Sequence, residues 1–432
     1  MNRPIVTVII PVYNVESYLE KAVDSVISQT LTNWEMYLVD DGSTDQSGEI
    51  CDRLAYADSR IHVLHQENQG AYAARNAAID LAEGKYLFFM DADDWAIPEM
   101  LYEMVCLAEH YYLDAWAGRP IDNKGRRLSS FGQIRMKPAE MTAEMPEDQC
   151  AQLTIAGFYI ETYYTDTDYY IQKQCVSSRV YGDKYEFREH AHELFDCNLL
   201  YTPWNKLYLA SYIREHDIRF PGVHWDDFPF NLEVIRNVER VTVTDKAYYH
   251  FIRKREDSES EKYNENLYLE REAENQKLIG LYEGWDTQAR LDFPGTQSLL
   301  TVLEHETEET AGEEPSAEDS DVSDAAGTQA SADAEPSADE AETEAVISFR
   351  DSVLQEEDPS MQFPPPAAME FLARRYLERI VGCVENVTNE QCTLTKKEKR
   401  EEISKIISAD PVRTALKTAR PKSLHMKLML VP

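Results

Sequence analysis

Hydrophobic positions in the first hundred residues change period several times. Val6 to Val12 (VTVIIPV) is a nearly continuous apolar run rich in β-branched residues. Such a run marks a strand covered on both faces, as in a parallel sheet. From Val15 to Gln29 the period becomes helical, with Leu19, Val23, Val26 and Ile27 recurring and Asn14 standing as N-cap. Met36 to Val39 repeats the strand signal, and Ser43-Thr44-Asp45-Gln46 reads as a capping box that opens a helix through about Ala55. Ile61 to Leu64 predicts a third strand. The Ala-rich segment Ala71 to Ala82 predicts a helix closing at Gly84, followed by a fourth buried strand at Tyr86 to Met90. Strands alternating with helices predict βαβ units, hence an α/β fold with a doubly wound, mostly parallel sheet.

Far down the chain, Met369, Leu372, Tyr376, Ile380 and Val384 recur at helical spacing, and Thr395-Lys396-Lys397-Glu398 is a capping box for a basic helix ending near Asp410-Pro411. A helical C-terminal subdomain is expected there. Composition changes the picture between the two regions. The 432 residues carry 43 Lys+Arg against 79 Asp+Glu, a formal charge of -36, and residues 304–344 hold 16 of those acids with no Lys or Arg. That segment has almost nothing apolar to bury, so a disordered acidic linker is expected. The sign then reverses, with 10 Lys+Arg and 4 Asp+Glu from Lys396 to Lys427. A tail mixing Lys417, Arg420, Lys422 and Lys427 with Leu424, Met426, Leu428 and Met429 suits either an anionic membrane surface or packing on the body of the protein.

Charge and cysteine usage exclude several classes. A chain this acidic lacks the clustered cations that bind a phosphate backbone, so nucleic acid is not an expected partner. No stretch approaches 18 consecutive apolar residues, and the first residues lack a signal-peptide core, so a cytoplasmic protein is expected. Seven cysteines without a CxxC pair indicate neither a zinc site nor a disulfide framework.

In an open α/β sheet the ligand crevice lies beyond the carboxyl ends of the strands. Those ends are strongly polar here. Strand one leads to Pro11-Val12-Tyr13-Asn14, strand two to Asp40-Asp41-Gly42-Ser43, strand three to Glu67-Asn68-Gln69-Gly70 and strand four to Asp91-Ala92-Asp93-Asp94. Carboxylates gathered on one edge cost energy unless a cation joins them, and hard oxygen ligands suit Mg²⁺ or Mn²⁺. Neither G-x-G-x-x-G nor a P-loop is present, so a phosphate would be held by metal and Arg.

Four blocks in order, VTVIIPVYNVESYLEKAVDSVISQT, LVDDGSTDQS, ENQGAYAARNAAI and GKYLFFMDADD, resemble the inverting family 2 glycosyltransferases with the glycosyltransferase-A fold. The match is dense over residues 5 to about 100. It continues thinly in TPWNKLY (Thr202 to Tyr208) and IRFPGVHWDDFPFNL (Ile218 to Leu232), the family's acidic-pair region in members that build bacterial surface polysaccharides.

The resemblance implies that Pro11, Tyr13 and Asp41 line the nucleoside pocket and that Arg75 faces the base or diphosphate. Asp91 and Asp93 form the D-x-D on the metal, Asp93 the direct ligand and Asp91 nearer the ribose. Asp227 occupies the place of the catalytic base. Because Asp226-Asp227 stands where Glu-Asp is commoner, either carboxylate is open as the base. The implied organisation is a catalytic domain over 1–260, with a nucleotide-sugar half at 1–115 and an acceptor half at 116–260. A helical extension at 261–303, the acidic linker at 304–345 and the C-terminal subdomain at 346–432 follow.

These residue types suit displacement at an anomeric carbon. A divalent cation stabilises charge on the departing diphosphate, and one carboxylate with a raised pKa takes the proton of the attacking hydroxyl. A single base implies inversion. The expected partners are a nucleotide-sugar donor, UDP-linked, and a saccharide or lipid-linked acceptor. The alternative is a noncatalytic nucleotide-sugar-binding partner subunit of another transferase. Blander roles stand beside several residues: Asp94 as the start of a helix, Trp204 and Asn205 as core instead of holding an acceptor sugar, Arg75 as a structural ion-pair partner.

Overall fold

The computed structural model describes residues 3–111, 143–165, 168–223, 225–254, 263–294, 296–300 and 362–419. The acidic stretch 304–345 and the tail beyond Ala419 lie outside the described residues. The chain divides into two compact units, Met1–Leu281 with Glu370–Pro432, and Tyr282–Met369.

In the larger unit the expected alternation is present: β1 (Val6–Val12), α1 (Leu19–Ile27), β2 (Trp34–Asp40), α2 (Ser47–Ala57), β3 (Ile61–His65), α3 (Ala71–Leu81) and β4 (Tyr86–Phe89). There follow β5 (Trp95–Ala96), α4 (Met100–Glu109), β6 (Leu153–Tyr163), β7 (Tyr169–Gln174), β8 (Arg179–Tyr181), α5 (Lys184–Asp196), β9 (Lys206–Leu209), α6 (Ala210–Glu215), α7 (Asp227–Arg236) and β10 (Val241–Lys254). One sheet runs β3-β2-β1-β4-β9-β6-β10-β5. Its first four strands are parallel. The short strand β9 runs antiparallel to both β4 and β6, whereas β6 and β10 pair in parallel.

The sequence explains the parallel core directly. Six of seven residues of β1 are buried, as are all four of β4. Pro11 sits in this central strand at no cost to the ladder. The carbonyl of Ile9 points toward β4, accepting from Met90 N–H at 3.0 Å, and Pro11 points the same way two residues on. Strand β4 pairs only as far as Ile9, so no partner there needs the N–H that proline lacks. Gly84 is required just before β4, because a Cβ there would lie 2.5 Å from the backbone nitrogen of Thr7.

Two predicted caps are not formed. Asn14 has a left-handed backbone (φ 52°) and α1 begins only at Leu19. Its side-chain oxygen instead accepts from Thr44 N–H at 2.8 Å. The Ser43–Gln46 run does not cap α2 as a box; Ser43 N–H donates to Asp40 Oδ1 at 3.0 Å, and Asp45 Oδ1 accepts from Ser47 N–H at 2.9 Å. Both segments use their small polar side chains to tie the β1 and β2 loops together, an alternative these residues always offer the backbone.

Three of the remaining helices are α8 (Leu267–Asp292), α9 (Pro366–Thr388) and α10 (Lys396–Ser408), and the last is α11 (Asp410–Thr418). The capping box at Thr395 and Glu398 is present. Tyr376, Leu377, Ile380 and Val384 of α9 pack with Ile406, Val412 and Ala415, as the helical spacing predicts. In the smaller unit Trp285 and Tyr282 are buried, and Ser298 Oγ donates to Asp286 at 2.9 Å. All seven cysteines are unpaired. Among the described residues no helix is long and apolar enough to cross a membrane.

Candidate functional site

The carboxyl ends of β1, β2 and β4 and the start of α7 bring the predicted residues to one region. Tyr13, just past β1, is 48% exposed and available to a ligand. Asp41 is buried at the end of β2, and its carboxylate accepts from Gln66 Nε2 at 2.7 Å, Gln69 N–H at 2.9 Å and Gly70 N–H at 2.7 Å. Three of roughly four lone-pair sites are thus occupied, leaving about one for a ligand. Next to it, burial opposes ionisation of Asp40, but Ser43 and His65 hold that carboxyl below its usual range.

Arg75, projecting from α3, is the centre of the site. It is 5% exposed, with Nη2 2.8 Å from Asp91 Oδ1 and Nη1 3.1 Å from Asp227 Oδ1 and 3.6 Å from Asp226 Oδ2. Its guanidinium also lies over the Phe220 ring at 5.0 Å. One cation therefore joins the D-x-D turn to the acidic pair. Burial works against its charge, but Asp227, Asp91 and Asp226 outweigh this and keep it firmly protonated. The ion-pair reading of Arg75 is thus realised, with the candidate site's own acids as its partners.

The turn after β4 is clamped from the far side of the sheet. Tyr249 of β10 donates its hydroxyl proton to Asp94 Oδ2 at 2.8 Å and accepts from Asp91 N–H at 3.1 Å. Asp94 Oδ1 accepts from Ile252 N–H at 2.7 Å. Asp94 is 1% exposed, and burial together with Asp93 and Asp91 pushes its carboxyl well above the usual range. It is therefore no helix-start residue: α4 begins at Met100, and Asp94 braces the turn. Asp93 stands exposed and Asp91 is partly open.

Burial raises Asp226 and pushes Asp227 up to about 7; Arg75 opposes the shift and Asp91 adds to it in both cases. A third of the Asp227 side chain is open to solvent, against 17% for Asp226. Behind the pair, Asn231 Nδ2 donates to the Asp227 carbonyl at 2.8 Å, and Tyr208 donates to Asn231 Oδ1 at 2.9 Å. Lys206 is fully buried and donates to the Thr202 carbonyl and to Asn205 Oδ1; burial holds its amine well below the normal lysine range. Trp204, 3% exposed, stacks on Tyr249 at 4.5 Å, and Asn205 is fully buried, so both belong to the core rather than to a sugar surface. Tyr249, Lys206 and Asn231 were not singled out by sequence reasoning, although the TPWNKLY block pointed at Lys206 and its neighbours.

The donor set suits a divalent cation carried in with a diphosphate. Three carboxylates share one guanidinium, leaving a negative excess, and Asp93 adds another. Among the described residues no group of three His, Cys, Asp or Glu is placed to enclose an ion alone. Mg²⁺ and Mn²⁺ are commonly held by one or two carboxylates plus phosphate oxygens, which Asp91 and Asp93 match.

A mixed α/β sheet with a D-x-D turn at the end of its fourth strand and an acidic pair facing it is the arrangement of the glycosyltransferase-A fold. Residues 7–163 match the family model described as glycosyl transferase family 2. It is 32% identical over 254 residues to the uncharacterized glycosyltransferase EpsJ of Bacillus subtilis, covering 57% of this chain and 60% of that protein. It is 46% identical over 105 residues to glycosyltransferase GlyG of Streptococcus pneumoniae, covering 23% of this chain and 35% of that one. The chain thus spans less than two thirds of these relatives. The crystal structure of S. aureus TarS 1-349 in complex with UDP-GlcNAc aligns with a TM-score of 0.44 at 19% identity, over 66% of this chain and 72% of that one.

Proposed function

We propose that the protein is an inverting glycosyltransferase that moves a sugar from a nucleoside-diphosphate donor, UDP-linked, to a saccharide or lipid-linked acceptor in surface-polysaccharide synthesis. The observation that carries this reading is the Arg75 fork, which holds the D-x-D turn and the acidic pair against each other. Pro11, Tyr13 and Asp41 line the nucleoside side, with Asp41 chiefly fixing the 66–70 loop and offering its remaining lone pair to the base. Arg75 balances charge between diphosphate and base. Asp93 and Asp91 would hold Mn²⁺ or Mg²⁺, which when bound offsets the charge developing on the leaving diphosphate.

Asp227 takes the proton of the acceptor hydroxyl as that oxygen attacks the anomeric carbon from the side opposite the diphosphate. It is favoured over Asp226 by its greater opening to solvent and by a carboxyl poised near neutrality. Asp226, whose Oδ2 is buried without a hydrogen bond, sets the field around that base. The reaction belongs in the cytoplasm, with the basic, apolar tail from Lys417 to Pro432 as a peripheral contact to anionic membrane. The test is a panel of nucleotide sugars incubated with the protein, with Mn²⁺ and with chelator. Metal-dependent release of nucleoside diphosphate from one donor is expected; binding without release from any donor, with or without saccharide, would favour the partner-subunit reading.

A further inference from the structure

One side chain beside the acidic pair has no place in the reaction as described. Trp225 immediately precedes Asp226 and is 51% exposed. Its backbone is left-handed, with φ 60°. Among the described residues the other non-glycine positions with positive φ are Asn14, Asn198 and Asp217, types whose short polar side chains tolerate that conformation. An indole gains nothing from it. Strain of this kind persists where the surroundings impose it, and it clusters at ligand sites.

The neighbouring positions and the ring itself are held by several contacts. Phe220, buried, stacks on Phe230 at 3.8 Å and anchors the loop that ends in Trp225. Asn76 of α3 grips the same residue twice, donating to the Phe220 carbonyl at 2.9 Å and accepting from its N–H at 3.0 Å. Gly222 lies so close to the Tyr72 ring that a Cβ would come within 2.8 Å of it. At the far end the Arg271 guanidinium of α8 lies over the Trp225 ring at 5.1 Å, and Arg271 is itself fixed by Glu274 at 2.5 Å. Trp225, with Arg271 over its ring, therefore presents a half-open aromatic face two positions before Asp227.

We propose that Trp225 is the platform on which a pyranose of the acceptor stacks, so that the sugar's hydroxyl meets Asp227. The inference rests on the transferase reading and adds to it the residue that binds the acceptor. The apolar face of a pyranose matches an indole. Trp225, held by Arg271, sets which sugars can present a hydroxyl at the base.

The test uses the full chain and the p-nitrophenyl pyranosides of glucose, galactose, mannose and N-acetylglucosamine in both anomers. Binding is read by saturation-transfer NMR, and transfer by acceptor KM and kcat. Trp225→Ala is expected to weaken glycoside binding and raise acceptor KM about tenfold, with Trp225→Phe within about threefold of the parent. Donor affinity and melting temperature should stay near those of the parent. Equal glycoside affinity in parent and Trp225→Ala overturns the proposal, as does a loss matched by loss of donor affinity or of melting temperature. Absence of glycoside binding to the parent overturns it as well. Glycoside binding that depends on Trp225 in a protein that releases no nucleoside diphosphate from any donor would sink the transferase reading and leave the platform standing.

Discussion

Arg75 Nη1 lies 3.1 Å from Asp227 Oδ1, a contact that closes across 152 positions of chain. The same guanidinium holds Asp91 at 2.8 Å, so the third helix ties the end of the fourth strand to the start of a helix far along the chain. Removing it should leave three carboxylates facing one another. Arg75→Met is expected to lose about 3–5 kcal/mol at pH 8, as breaking a buried pair does. The loss should shrink toward pH 5, where the abandoned carboxylates take up protons. Denaturant unfolding at the two pH values measures both.

Asp227→Asn should abolish transfer while donor binding persists, with a fall in kcat of about 10²–10⁴. Stability should move the other way. The Asp227 carboxyl titrates near 7 in the folded protein, above its value of 3.8 when unfolded. Between those values the folded state binds more protons than the unfolded one, so stability falls as pH rises through the window. The Asn variant escapes that penalty. Its melting temperature should exceed the parent's at pH 8 and match it near pH 4, and a variant less stable at pH 8 would contradict the assignment.

The pH profile of kcat/KM should show a rising limb with its midpoint near 7, since the base must be ionised in the free enzyme. A limb at the ordinary carboxylate value would move the base elsewhere.

Asp93→Asn and chelation should weaken nucleotide-sugar binding in the same way, measured by calorimetry with and without Mn²⁺. The two losses should not add, because each removes the same attachment of the diphosphate.

Asn76→Ala deletes both hydrogen bonds to Phe220 and should destabilise the protein by about 1–3 kcal/mol. Its acceptor KM should rise more than its donor affinity falls, a split readable in steady-state kinetics.

The parallel half of the sheet was legible because apolar runs such as VTVIIPV and YLFFM are local signals that burial enforces. So was the crevice edge, since Asp41, Asp91 and Asp93 follow strands directly. What linked those residues was not. Arg75 finds Asp227, and Tyr249 finds Asp94, through strand order rather than spacing, and β9 enters the sheet antiparallel on a four-residue signal too short to read. Asn14 and Ser43 misled for a chemical reason. The oxygens that cap helices also knit loops, and here two neighbouring loops competed for them and won.

Tyr249 carries a lesson for anyone exchanging parts between relatives. Its hydroxyl reaches from the last strand of the sheet to Asp94 and to the backbone of Asp91, so the D-x-D turn is shaped by a residue some 150 positions downstream. A chimera that keeps the first hundred residues and imports a foreign second half lacking this tyrosine would keep Asp91, Asp93 and Asp94 and still lose the brace on the turn that carries them. A transplantable unit carrying this turn therefore extends beyond the first hundred residues, with Tyr249 travelling alongside the turn it braces.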